Sequence, residues 1–407
     1  MNAHERLDAW VDAHFDEEVR FLQELVRVPT DTPPGNNAPH AQRTAELLQA
    51  FGMDAEQHAV PEEEVRAQGM QSVTNLVVRR QYGAGRTIAL NAHGDVVPPG
   101  EGWTKDPYGG EIAEGKLYGR AAAVSKSDFA SFTFAVRALE SLQAPLKGAV
   151  ELHFTYDEEM GGELGPGWLL KKGITRPDLL IAAGFSYEVV TAHNGCLQME
   201  VTVQGKMAHA AIPHTGVDAL QGAVKILNAL YAQNTLYKQV TSKVAGIQHP
   251  YLNVGRIEGG TNTNVVPGKV VFKLDRRMIP EENPQEVEAT VRRVITEAAA
   301  QHPGITVEIR RLLLANALKP LPGNQPLVDA IRKHAQAVFG QEIPAMGTPL
   351  YTDVRLYGEA GIPGVIYGAG PRTVLESHAK RADERLELED LRRATKVVAR
   401  TLFDLLA

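Results

Sequence analysis

The chain has 407 residues, of which 43% are hydrophobic and 22% charged, an ordinary globular composition. That length exceeds one ordinary core, so two domains are expected. A net charge of −7 with no basic block argues against a nucleic-acid partner, and a single cysteine, Cys196, excludes an internal disulfide framework. No run approaches the ~18 apolar residues of a membrane span. The opening Met1-Asn-Ala-His-Glu-Arg6 lacks the apolar core of a signal peptide, so the expected location is cytoplasmic.

Val11, Phe15, Val19, Leu22 and Val26 recur at helical spacing and predict an amphipathic helix over 5–27. Val28-Pro29 ends it. A second helix is expected over 39–51, with Gly52 closing it. Strands follow near 74–79 and 87–90. The glycine-rich stretch 99–118, with Trp103, Pro107 and Tyr108, reads as a long ordered loop near a site. A helix over 127–142, N-capped by Ser127, leads to a strand from Ala149 to Tyr156. The strand–helix alternation resumes at Asp178–Ala182 and returns at the end, with a helix at 325–339, a strand at Val365-Ile366-Tyr367 and a closing helix at 387–406.

The stretch between reads differently. It has strands at 197–204 and 269–275 and helices at 217–231 and 284–301, an α+β pattern expected for a domain inserted into the first. No low-complexity segment or short repeat appears.

The chemistry gathers at strand ends. Thr87–Leu90 leads into His93-Gly94-Asp95, and a histidine at the C-terminal end of a buried strand faces the crevice where α/β sheets bind ligands. Asp95 is placed to accept the His93 ring N–H and fix its tautomer. Asp157-Glu158-Glu159 follows the strand ending at Tyr156. Three carboxylates at one strand end repel one another, so a bound cation, a catalytic task or a solvated turn must account for them.

These motifs, with others, resemble the M20 family of metallohydrolases, the group of carboxypeptidase G2, acetylornithine deacetylase and succinyl-diaminopimelate desuccinylase. The matching pieces are Asn91-Ala-His-Gly-Asp-Val-Val-Pro98, Gly115-Lys-Leu-Tyr-Gly-Arg120, Tyr156-Asp-Glu-Glu159 with Gly161-Gly162, Gly205-Lys-Met-Ala-His209, Asn264-Val-Val-Pro267, Asp275-Arg-Arg277, Thr352-Asp-Val-Arg355, Gly368-Ala-Gly-Pro371 and Ser377-His378. The resemblance implies an α/β fold, with a zinc-peptidase-like α/β/α catalytic domain (1–188 and 312–407) and an inserted α+β lid/dimerisation domain (189–311). It implies a homodimer and hydrolysis of an amide-type C–N bond in a small carboxylate-bearing molecule, by a deacylase or peptidase.

It also implies roles. His93, Glu159 and His378 would bind metal. Glu158 would be the general base that deprotonates a metal-bound water, with Asp95 beside it as a second catalytic residue. His209, Asn264 and Arg277 would bind substrate, Arg277 through a carboxylate. The cofactor would be zinc, with manganese or cobalt as alternatives. Two family ligand positions are altered: Val124 stands at the bridging aspartate and Ala183 at a terminal carboxylate. The site is then expected to be mononuclear with Asp128 swinging in, or to use unusual ligands from Phe185-Ser-Tyr-Glu188, or to have lost metal chemistry. An aminohydrolase acting on another C–N bond and a catalytically silent binding protein are the alternative functions.

Overall fold

The computed structural model describes residues 1–407. The chain forms two compact units. One comprises Met1–Thr191, Pro320–Met346 and Thr352–Ala407; the other comprises Ala192–Lys319 and Gly347–Tyr351.

The first unit is built on an eight-stranded mixed sheet. Its order is Ala55–Ala59, Thr74–Gln81, Ala149–Thr155, Thr87–His93, Leu179–Ala182, Gly364–Ile366, Val189–His193, Ala345–Thr348. Thr87–His93 pairs in parallel with both neighbours, and Ile88, Ala89 and Leu90 are fully buried. Strands buried on both faces read as continuous apolar runs, which is why this one was legible. It runs on to His93, so the histidine is the last residue of the strand rather than part of a following loop.

Helices Ala3–Val26, Lys126–Ser141 and Leu388–Leu406 pack on one another beside this sheet. The first starts at a capping box: Asn2 accepts the Glu5 N–H and Glu5 accepts the Asn2 N–H, each at 2.9 Å. Its inward stripe, Leu7, Val11, Phe15, Val19, Leu22 and Val26, is buried, each large side chain contributing about 1.5–3 kcal/mol. Ser127 does not cap the third helix. That helix begins at Lys126, the cap position is Ser125, and the Ser127 hydroxyl donates back to the Ala123 carbonyl.

The second unit is a four-stranded antiparallel sheet in the order Tyr251–Gly259, Lys269–Met278, Gly195–Gln204, Thr306–Ala315. Leu197, Met199, Val201 and Val203 alternate inward against Val270, Phe272 and Leu274, and helices Ala219–Tyr237 and Pro284–Ala299 close this core. The boundary expected at 312 falls inside Thr306–Ala315, whose mixed, half-exposed sequence hides its strand character. No helix is long and apolar enough to cross a membrane.

Candidate active site

Two parallel strands end side by side at His93 and Thr155. Gly94 then turns the chain, donating its N–H to the Thr155 carbonyl at 2.8 Å. A Cβ at Gly94 would lie 2.4 Å from the Tyr156 ring, so only glycine lets these two strand ends meet. Asp95 follows, fully buried, and its carboxylate accepts the backbone N–H groups of Glu158 (3.2 Å) and Glu159 (2.9 Å). Asp95 thus fixes the short 3₁₀ turn Glu158–Met160 that presents both glutamates.

His93 is oriented from three sides. Its Nδ1 lies 3.0 Å from the carbonyl of Asp95 and 3.5 Å from the Asp95 carboxylate, so the backbone is the nearer acceptor. Its Nε2 lies 3.9 Å from Glu158 Oε2. Its backbone is clamped by Ser125, whose hydroxyl accepts the His93 N–H at 2.9 Å and donates to the His93 carbonyl at 2.8 Å. The Ser125 oxygen that would cap the helix accepts the His93 N–H instead.

The site is acidic and largely buried. Burial pushes Glu158 up to about 7, while the adjacent His93 pulls it down. Burial alone would lower His93, but the carboxylates of Glu158, Asp95 and Glu159 outweigh it and hold the imidazole up to about 10. Burial also raises Asp157 to about 8 and Asp353 well above the carboxylate range, the latter reinforced by Glu158 and Asp157. Asp157 and Asp353 had no role assigned from sequence. Both are buried, and one oxygen of each lacks a hydrogen-bond partner.

The expected ligand set is only partly assembled. His93, Asp95, Glu158 and Glu159 come together. His378 makes no three-donor group with them within 4.8 Å. It ends the four-residue helix Val374–Ser377 in a left-handed conformation, φ 54°, and its Nδ1 turns back to the Ala382 carbonyl at 3.1 Å with Arg385 beside it. Two residues on, Lys380 reaches Glu159 Oε2 with its ammonium at 2.6 Å. Asp128 does not swing in either: it is fully buried and accepts the Ala369 N–H. In Phe185-Ser-Tyr-Glu188, Ser186 donates to the Gly370 carbonyl and Tyr187 to Asp390, so neither hydroxyl is turned to the site.

These donors do not fit a metal pair. Val124 and Ala183 carry no ligand atom, no three donors around His93 lie within 4.8 Å of one another, and Glu159 is ion-paired to a lysine. His93 and Glu159 make two donors of the zinc type, one short of the three that catalytic zinc keeps. The three such donors that do gather within 4.8 Å of one another, His4, His334 and Asp404, lie on the outer helices of the first unit. There Asp404 also accepts from Lys333 at 2.7 Å, so its charge is already matched.

In the second unit, His209 is exposed and its Nδ1 accepts the Ala211 N–H. The Asn264 carbonyl accepts from Ala210. Arg277 pairs with Asp275 at 2.7 Å and lies over the Tyr351 ring, 5.4 Å from its centroid. Cys196 is buried, with its thiol 3.4 Å from Asp275.

The family model of peptidase family M20/M25/M40 matches residues 89–404. The chain is 29% identical over 390 residues to an acetylornithine deacetylase of Myxococcus xanthus, covering 94% of this chain and 95% of that one. It is 27% identical over 394 residues to a succinyl-diaminopimelate desuccinylase of Methylobacterium nodulans, covering 94% of each. In three dimensions it is similar to a Bacillus subtilis protein described as a dinuclear metal binding peptidase from the M20 family. That match has a TM-score of 0.67 at 18% identity and covers 97% of this chain and 99% of that one. This kinship supports amide hydrolysis of a small molecule and a divalent metal as the family's cofactor. The chain is a hydrolase, and it belongs to peptidase family M20/M25/M40.

Proposed function

We propose that the protein hydrolyses an amide-type C–N bond in a small carboxylate-bearing molecule, an N-acylated amino acid or a short peptide, with Glu158 moving the proton. The observation that carries this reading is the clamp of Asp95 on the amides of Glu158 and Glu159, which holds the Glu158 carboxylate 3.9 Å from His93 at the strand ends. A carboxylate fixed there takes a proton from water as the oxygen adds to the carbonyl carbon. The C–N bond then breaks, and Glu158 returns the proton to the departing amine. Imidazole and carboxylate donors of the type of His93 and Glu159 are those that zinc favours, which makes zinc the metal to test first. Arg277 is assigned the substrate carboxylate, for which a planar guanidinium gives a two-pronged match, and His209 and Asn264 are assigned neighbouring substrate contacts.

A homodimer belongs to the same reading. Helix Ala219–Tyr237 leaves Leu220, Val224, Tyr231 and Leu236 exposed on the side away from its core, and a second copy of the chain is the partner we assign to them.

The test is a panel of N-acetyl and N-succinyl amino acids, read by release of free amine. Glu158→Gln should fold normally and lose at least ~10²-fold in turnover. A variant with wild-type turnover would remove Glu158 from this role. A wild type that binds panel members without cleaving them would favour a silent binding protein.

A further inference from the structure

We propose that the ammonium of Lys380 is the resident cation of this site, standing where the family places a divalent metal and stabilising the negative charge that develops on the substrate's carbonyl oxygen. The chemical role rests on the amide-hydrolase reading above; the identity of the cation does not.

Asp95, Glu158 and Glu159 lie within one turn of each other's backbone, with Asp157 and Asp353 behind them. Carboxylates drawn together and shielded from water need a positive partner. The family's need is met by metal ions, but two of the ligand positions are here Val124 and Ala183, and no three donors gather around His93 within 4.8 Å of one another. Lys380 meets it at Glu159, with its Nζ 2.6 Å from Oε2, while the His93 ring stands 3.9 Å from Glu158.

The placement is specific. The Glu159 side chain is 9% exposed and that of Lys380 is 58% exposed, so the lysine stem comes from the solvent side and only its charged end meets the buried carboxylate. The loop is shaped for this contact: His378, Lys380 and Asp383 all take left-handed backbone angles, φ 54°, 61° and 54°. Asp383 pins the loop by accepting the Thr104 N–H and hydroxyl, each at 2.9 Å. Such angles are uncommon outside glycine and persist where the surroundings hold them.

The chemistry needs no further group. When water adds to the carbonyl carbon, a C–O bond forms and the C=O pair moves to oxygen. An ammonium on the rim of the site can donate a hydrogen bond to that oxygen and keep its own proton. The pair returns as the C–N bond breaks, and the proton held by Glu158 goes to the amine. A preorganised donor of this kind is worth about 10²–10³ in turnover.

Two measurements test the proposal without reliance on each other. Protein purified without chelator is assayed for metal by elemental analysis and titrated with zinc by calorimetry. The expected result is substoichiometric metal and no zinc binding that Glu159→Gln removes. In Lys380→His the ammonium is gone and an imidazole is added near His93 and Glu159, so zinc should now raise the melting temperature. Stoichiometric zinc in the wild type that Glu159→Gln abolishes would overturn the proposal. On the acyl-amino-acid panel, Lys380→Met should lose about 10²-fold or more in kcat with KM little changed, Lys380→Arg should recover part of it, and chelator should leave the wild type active. Full activity in Lys380→Met, or loss of wild-type activity to chelator, would also overturn it. If nothing on the panel is cleaved, the amide-hydrolase reading falls, and the zinc titrations still decide which cation the site holds.

Discussion

The carboxylate of Asp128 accepts the backbone N–H of Ala369 at 2.7 Å, tying helix Lys126–Ser141 to the loop after strand Gly364–Ile366. This contact, not a metal, is what the residue serves. Its other oxygen is buried without a partner, and burial pushes the group up to about 8, so it is protonated at neutral pH. Asp128→Asn keeps the acceptor and should fold with unchanged metal content. Asp128→Ala leaves a buried N–H unpaired and should cost about 1–3 kcal/mol in thermal or urea denaturation. Equal losses in the two variants would mean that the hydrogen bond is not what matters.

Gly368 is the other half of this arrangement. A Cβ there would come 1.9 Å from Asp128 Oδ1. Gly368→Ala should therefore destabilise by about 1–3 kcal/mol, the range for forcing extra volume into a packed core. Adding Asp128→Ala should relieve part of that cost, and a double-mutant cycle reads the coupling. Strict additivity would mean that the clash is absorbed elsewhere.

Stability should fall from acid toward mild alkali because of Glu18. It is buried among the three outer helices, with Oε1 accepting from Thr395 at 2.6 Å and Oε2 unpaired. Burial raises it from 4.5 to about 8. The folded-state value lies above the unfolded one, so the folded state favours the protonated form. Its contribution is complete below pH 4.5 and is lost as the pH climbs through about 8. Glu18→Gln should raise the melting temperature at pH 8–9, by an amount corresponding to a few kcal/mol, and the gain should vanish near pH 4. A gain independent of pH would assign the effect to packing.

Asp95→Ala probes positioning. Without that carboxylate, the Glu158–Met160 turn loses two of its amide contacts. Turnover should drop on the order of 10²-fold, the cost of a displacement of about 1 Å. The loss should fall mainly on kcat, with KM little changed, because Asp95 touches the turn rather than the substrate.

Sedimentation velocity reads the assembly. Val224→Asp places a charge in the exposed apolar row of helix Ala219–Tyr237. The wild type should sediment as a dimer and the variant as a monomer. A monomeric wild type would remove the row as an interface between copies.

What the sequence alone determined was whatever short-range pattern encodes. The helix at Ala3–Val26 is written in a 3.6-residue stripe, and the strand ending at His93 in an apolar run closed by glycine. The meeting of His93 with Glu158 and Glu159 was implied by the family resemblance, and the strand ends at His93 and Thr155 are where it occurs. Strands such as Tyr251–Gly259 and Thr306–Ala315, half-exposed and rich in charge, carry no such pattern; their pairing with neighbours makes them strands. The same limit decided the site. In sequence, His378 looked like the group that would meet Glu159. The backbone angles of the six residues 378–383 set its Nδ1 on the Ala382 carbonyl and brought Lys380 to that carboxylate, 221 residues away. Spacing along the chain encodes neither those angles nor that meeting, because both follow from contacts, such as Asp383 with Thr104, that exist only once the chain has folded.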